Sequence, residues 1–333
     1  MNLHGKRLKP VAGLWLITSL LSASGVAALA AAAESYPDRP IRWILPFSPG
    51  GPSDIIGRYF ALKLTDALGR QVVVDNRSGA TGIIAFEIAA RSAPDGYTVL
   101  QAGASGLTVN PSLHAKLPYD AQRDFRLVTQ LVATPNILVV HPSLPARSLK
   151  ELVALAKSKA GQLAFASGGT GTSNHLSWEM LKYYTGIELV HVPFKGTGPA
   201  LTSVVGGQVQ MMFSNMLPAM PQVRAGKLYA LAVTSAQRSP AAPEVPTVAE
   251  TGIPGYETTS WHGVAVPAGT PAAIVKRLHA ELVQITQTPD VRERFAADGT
   301  RVIGSSPEEF AALVKAETVK WAKVIKAAGI RAE

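Results

Sequence analysis

One pattern recurs along this chain and limits what it can fold into: a short apolar run, a loop of Gly, Ser, Thr and Pro, then a helical run. Ile41 to Phe47 reads as a strand, and Asp54 to Leu68 as a helix stopped by Gly69. Gln71 to Val74 is a second strand, Ile83 to Arg91 a helix and Tyr97 to Ala102 a third strand. The order then restarts with strands at Asn136–Val140, Leu163–Ala166, Glu188–Val192 and Met211–Phe213, with helices over Leu149–Lys159, up to Tyr184 and over Ala200–Val205. Further strands are expected at Leu228–Val233 and Trp261–Val266. Alternation of this kind predicts an open parallel sheet with helices on its faces.

Ser148, with Glu151 three residues on, predicts a capping box at the start of the Leu149 helix. The stretch Ser239 to Gly255 holds four prolines and two glycines and reads as a crossing loop. Ala272–Thr286, Val291–Ala297 and Pro307–Lys326 are helical. Phe310, Leu313, Val314, Val319, Trp321 and Val324 give the last helix an apolar face that is expected to pack on the first domain.

The N-terminus is a separate matter. Lys6, Arg7 and Lys9 precede an apolar run from Val11 to Leu21, and Ala27 to Ala33 is almost pure alanine before Glu34. That order is a secretory signal, with cleavage expected between Ala31 and Glu34. The competing reading is a retained anchor, because Val11 to Ala33 is long enough to span a bilayer. Removing residues 1–33 leaves 300 residues, enough for two domains. Without cysteine, such an exported protein depends on core burial. It also has no thiol nucleophile and no cysteine metal site.

The net charge of +9 falls to +6 without the three leading basic residues. The basic residues are scattered and lack interleaved aromatics, which argues against nucleic acid. A mild field that attracts small anions and a merely solvated basic surface both remain open.

Four loops share one design: Ser48–Asp54, Ser78–Gly82, Ser167–Asn174 and Lys195–Pro199. A helix start offers free N–H groups and the positive end of a dipole. Glycine admits a ligand to the backbone, and Ser or Thr adds a hydroxyl. Such loops hold anions, at the carboxyl ends of strands. No P-loop or nucleophile elbow occurs, and Gly169-Thr170-Gly171 lacks the third glycine of a dinucleotide fingerprint. The seven histidines show no metal-binding spacing. His175 is either a ligand contact or base, or a residue that orients the loop. His114, His141 and His279 are expected on the surface. Asp54 is first an N-cap, second a pocket carboxylate; Trp261 is first core, second a pocket wall.

These loops resemble the Bug family, the periplasmic substrate-binding components of tripartite tricarboxylate transporters. The resemblance rests on Pro46-Phe47-Ser48-Pro49-Gly50-Gly51-Pro52-Ser53-Asp54, Asn76-Arg77-Ser78-Gly79-Ala80-Thr81-Gly82 and Ala93-Pro94-Asp95-Gly96-Tyr97-Thr98. It continues in Gly171-Thr172-Ser173-Asn174-His175-Leu176, His191 to Gly196, Gly206 to Val209, Pro243 to Thr247 and Ser260-Trp261-His262-Gly263. It implies an α/β fold like type II periplasmic binding proteins: two Rossmann-like lobes, two interdomain crossings and a ligand cleft between them. Lobe 1 is expected over 34–134 and 259–333, lobe 2 over 135–258.

The resemblance further implies a monomeric, non-enzymatic protein of the periplasm with no cofactor and no metal. It captures a di- or tricarboxylate, an acidic amino acid or an aromatic carboxylate for membrane transporter subunits. A sensor's ligand-binding component is the alternative, and an exported hydrolase or lyase a third reading. The ligand contacts expected in the first half are Phe47, Ser48, Gly51, Ser53, Asp54, Ala80, Thr81, Gly82 and Ser105. Those expected in the second are Ser167, Thr170, Gly171, Thr172, His175 and Asn215. Ser78, Ile83, Ser203 and Gln210 depart from the common family pattern, and Ile83 makes one side of the pocket more apolar than usual.

Overall fold

The structure is a computed structural model. It describes Met1, residues 36–327, 329 and 330, so the expected signal segment and its cleavage point lie outside the described residues. Residues 39–333 form one compact unit.

The chain runs β1 (Ile41–Leu45), α1 (Pro52–Leu68), β2 (Val72–Asn76), α2 (Ile83–Ala90) and β3 (Thr98–Gly103). A π-helical turn at Ser105–Val109 leads into the short α3 (Asn110–Leu113) and then β4 (Phe125–Val140). Next come α4 (Leu149–Ser158), β5 (Ala164–Ser167), α5 (Ser173–Thr185), β6 (Val190–Pro193), α6 (Thr197–Val205), β7 (Met211–Asn215), α7 (Met216–Arg224) and β8 (Tyr229–Val233). The chain closes with β9 (Thr259–Pro267), α8 (Ala272–Gln287), α9 (Pro289–Ala296), β10 (Arg301–Val302) and α10 (Pro307–Ala327).

Local chemistry accounts for most of these boundaries. Pro52 occupies the first turn of α1, where its missing N–H costs nothing, and Gly69 ends the helix at φ +62°. The Ser148 hydroxyl accepts from Glu151 N–H as expected of a cap, whereas the Glu151 carboxylate takes the N–H of Arg147, one residue before the cap. Asp54 is not the N-cap of α1; Gly51 is, because Pro52 sets the helix start two residues earlier.

The strand order is β2-β1-β3-β9-β4-β7-β5-β6, with β8 and β10 also on β4. The expected all-parallel arrangement holds only towards the two ends. β1 pairs in parallel with β2 and β3, and β5 in parallel with β6 and β7, whereas β9 is antiparallel to both β3 and β4. The reason is β4, whose 16 residues read in sequence only as Asn136–Val140. Phe125 to Pro135 pair with β9; from Asn136 onward the strand pairs with β7. A proline in a central strand is ordinarily a stop signal. Here Pro135 sits at the change of partner.

Threonines tie the segment before β9 to the middle of β4. Asn136 N–H donates to the Thr234 hydroxyl at 2.8 Å, and that hydroxyl donates to the Thr258 carbonyl at 2.7 Å, just before β9 begins.

Aromatic side chains fill the cores. Phe86, Phe125, Trp261 and Phe310 pack together beneath β3 and β9. Phe165, Trp178, Phe213 and Tyr256 pack on one face of the second sheet half, and Ile137, Met212 and Val204 on the other. α10 buries Phe310 in the first core, but Trp321 and Ile325 pack on Val109 and on Leu176 of α5, so its apolar face serves both halves. Val319, assigned to that face in sequence, is exposed. His114, His141 and His279 are half-buried rather than on the open surface, and His279 contacts the Ser305 carbonyl at 3.1 Å. None of the described helices is long and apolar enough to cross a membrane.

Candidate functional site

Four helices begin around one small cavity. Pro52 and Ser53 open α1, Thr172 to Asn174 cap and open α5, Thr197 opens α6, and Asn215 caps α7; all of them line a cavity of about 50 Å³. Each helix start contributes free N–H groups and a positive dipole end. The walls between them are apolar, with Pro46, Phe47, Phe86 and Trp261.

Five cavity residues carry a buried polar atom without a hydrogen-bond partner among the described residues: Ser53 Oγ, Asn174 Nδ2, Asn215 Nδ2, Trp261 Nε1 and His262 Nε2. The two amides are oriented by their other ends. Asn215 Oδ1 accepts from Leu217 N–H at 3.3 Å, and Asn174 Oδ1 accepts from the Thr197 hydroxyl at 2.9 Å. That leaves both NH₂ groups as donors. An unmet buried donor costs about 1–3 kcal/mol, and three of the five, the Asn174 and Asn215 amides and the Trp261 indole, can only donate, so the cavity suits a ligand that accepts. Among the described residues no lysine, arginine or carboxylate lines it, and burial pushes His262 down to about 4, leaving it neutral at pH 7.

A larger, more open chamber of about 640 Å³ adjoins this cavity and shares Phe47 and Thr81 with it. Loops of the two sheet halves meet here. The Thr81 hydroxyl donates to the Thr170 carbonyl at 2.9 Å, and Ser48 N–H to the Lys195 carbonyl at 3.2 Å. A Cβ on Gly198 would lie 2.6 Å from the Pro49 carbonyl oxygen, so only glycine permits this approach. Ala80 and Thr81 adopt positive φ, 45° and 50°, which non-glycine residues seldom do and which marks a constrained loop.

Of the residues singled out in sequence, Phe47, Ser53, Thr81, Ser105, Thr172 and Asn215 line the small cavity. Ser48, Ala80 and Thr170 line the outer chamber. The other six stand behind the walls. Gly51 packs against Gly198, and Gly82 against Pro46. Asp54 accepts from Gly50 N–H, Arg58 and Asn76, holding the first loop in shape. A Cβ on Gly171 would meet Leu113 at 2.5 Å.

His175 Nδ1 accepts the Gly171 N–H at 3.2 Å, and its ring lies 4.4 Å from that of His191. Ser167 Oγ lies 2.6 Å from His191 Nε2 and accepts from Gly169 N–H. This is a serine–histidine pair that spacing did not reveal. It lines neither chamber, and Ser167 is completely buried, so it supports a loop rather than meeting a substrate. Burial pushes His175 and His191 down to about 4. The Thr172 hydroxyl donates to the Gly169 carbonyl at 2.7 Å, so its one proton stays inside the loop.

Sequence reasoning left Asn174, Thr197, Ser260 and His262 out of the contact set. Asn174 and Thr197 lay within glycine loops already singled out, and the helix starts were the available signal. Ser260 and His262 sit in β9, in a motif that carries the family resemblance but was given no contact role; Trp261 is both core and wall. Ile83 reaches neither chamber.

A sheet-and-helix fold whose two halves are joined by long strands and whose loops meet over a cavity of unpaired polar groups is that of a two-lobed, type II-like periplasmic binding protein. The model of the tripartite tricarboxylate transporter family receptor matches residues 56–330, and the chain belongs to this family, which includes the Bug proteins. Protein BugT of Bordetella pertussis is 37% identical over 326 residues, covering 98% of each chain. The structure of Rpa4515 of R. palustris with adipate superposes with a TM-score of 0.88 at 35% identity, covering 90% of this chain and all of that one. MatC of Rhodopseudomonas palustris with bound malate gives a TM-score of 0.84 at 32% identity, covering 87% and 100%.

Proposed function

We propose that this chain is an extracytoplasmic solute receptor that encloses one carboxylate group in the small cavity and presents the ligand to membrane transporter subunits. The observation that carries the reading is the set of five unpaired buried polar groups beneath four helix starts. An ionised carboxylate accepts several hydrogen bonds and carries the charge that the dipoles favour. Neutral donors in a water-poor cavity stabilise it without a cationic clamp. The adipate and malate held by relatives of the same fold support a small organic acid as ligand.

Residues 34–134 with 259–333 form one lobe in this reading, and 135–258 the other. The switch of partner at Pro135–Asn136 and the Thr234–Thr258 link then form the hinge. Closing the lobes brings Ser53 from one side and Asn174, Thr197 and Asn215 from the other around a single group, so only a bridging ligand favours closure. A receptor needs no reacting group here, and neither Ser167 nor His191 lines the two chambers. Export follows from the leading 33 residues, with the mature chain starting between Ala31 and Ser35.

Calorimetry of the mature protein against mono-, di- and tricarboxylates and neutral sugars tests the reading. At least one carboxylate is expected to bind at about micromolar Kd, roughly −8 kcal/mol. Tight binding of a sugar with indifference to every carboxylate overturns it.

A further inference from the structure

The small cavity can neutralise one carboxylate and no more. A second anion buried in it would have no cation, and an unpaired buried charge costs several kcal/mol. Its volume of about 50 Å³ also leaves no room for a long molecule. A ligand with a second acid group must therefore extend past Phe47 and Thr81, the residues shared with the outer chamber.

That chamber differs in carrying a formal charge. Lys195 is the sole charged side chain among its described lining residues, and no Asp or Glu faces it. Lys195 is exposed, with no ion pair to another described residue. Its carbonyl is held by Ser48 N–H from the opposite loop, so closure sets where this residue stands. His114, also in the wall, is pushed down by burial and adds no charge at neutral pH. Phe47 and Phe194 offer apolar surface along the way.

We infer that Lys195 and the outer chamber form a second anion subsite, which selects elongated ligands carrying a second acidic group over monoacids of the same length. The inference rests on the carboxylate reading of the small cavity and adds a specificity residue that takes no part in holding the first carboxylate.

Calorimetry on the mature wild-type protein, Lys195→Ala and Lys195→Arg, using α,ω-dicarboxylates of increasing length and the matching monocarboxylates, tests it. Lys195→Ala is expected to weaken the preferred dicarboxylate about tenfold, the scale of one charge-assisted contact, and to leave the monocarboxylate within about twofold. Lys195→Arg restores most of the loss, and added salt shrinks the wild-type preference. An unchanged dicarboxylate affinity in Lys195→Ala, or equal losses for both ligand types, overturns the subsite while leaving the small cavity intact. Absence of any carboxylate binding to wild type removes the underlying reading, and the subsite with it.

Discussion

Asn215→Asp separates the ligand's anion from everything else that residue 215 does. Asn215 caps α7 through Oδ1, and aspartate caps a helix as well as asparagine does. The two side chains have nearly the same volume, so the buried site at the end of β7 needs no repacking. What changes is the unpaired NH₂, which becomes a carboxylate oxygen. A bound carboxylate loses one charge-assisted hydrogen bond, about 1.5–3 kcal/mol. It also meets a like charge about 4 Å away, which at an effective dielectric constant near 20 costs roughly 4 kcal/mol. Together these amount to about 6 kcal/mol, roughly four orders of magnitude in Kd. A micromolar ligand becomes undetectable by calorimetry at pH 8. The ligand-free protein responds differently. The new carboxylate enters a cavity that offers it the unpaired Asn174 amide and Trp261 indole N–H and the Ser53 hydroxyl, so the melting temperature is expected to hold or rise. Asn215→Ala, which loses the cap, melts lower. An Asn215→Asp protein that binds within tenfold of wild type refutes the placement of the anion at this cavity.

Three further outcomes follow from the geometry. Burial holds His175, His191 and His262 at about 4, against about 6.5 for a free imidazole. Around the first two, Lys182 lowers both and Glu179 raises His191. The unfolded chain then binds more protons than the native one between pH 6.5 and about 4. Stability is full above pH 6.5 and falls as pH drops through that window, by up to roughly 3 kcal/mol per imidazole at about 1.4 kcal/mol per pKa unit. Urea denaturation at pH 7.5, 5.5 and 4.5 checks this; a flat profile contradicts it. Thr172→Ala removes a cap whose hydroxyl proton is already given to Gly169, so stability falls by about 1 kcal/mol while carboxylate affinity stays near wild type. Denaturation and calorimetry on the same preparation separate the two effects, and a tenfold affinity loss with unchanged stability contradicts the assignment. Gly198→Ala places a methyl group against the Pro49 carbonyl of the facing loop. It is expected to hold the halves apart, weakening binding and enlarging the radius of gyration at saturating ligand in small-angle scattering; normal compaction shows that this approach is not needed for closure.

Much of the fold was legible because its signals are local. Strand and helix periodicities, the Ser148 cap, the glycine stops and the strand–glycine loop–helix units depend on residues a few positions apart, and these elements formed within a few residues of where the pattern placed them. The four loops were legible as helix starts for the same reason, and all four meet at the two chambers. What failed needed long-range information. β4 is 16 residues long because different partners stabilise its two ends, and a window around Pro135 cannot show this. The sequence analysis assigns no element to α7, which holds Pro218 and Pro221; Pro218 lies in its first turn, where an N–H is dispensable.

The sequence alone therefore determined the α/β class, the family and which loops carry backbone donors, since each depends on residue types in order along the chain. The tertiary structure alone decided which residues face the cavity and which support it. Gly171, His175 and Asp54 share loops with Asn174 and Ser53 yet turn to their own loops or neighbouring elements, while Trp261 and His262 arrive on a strand some 90 residues away along the chain from Asn174. A donor becomes part of a site only when folding removes water and leaves it unpaired, and that depends on what packs behind it rather than on its neighbours in sequence.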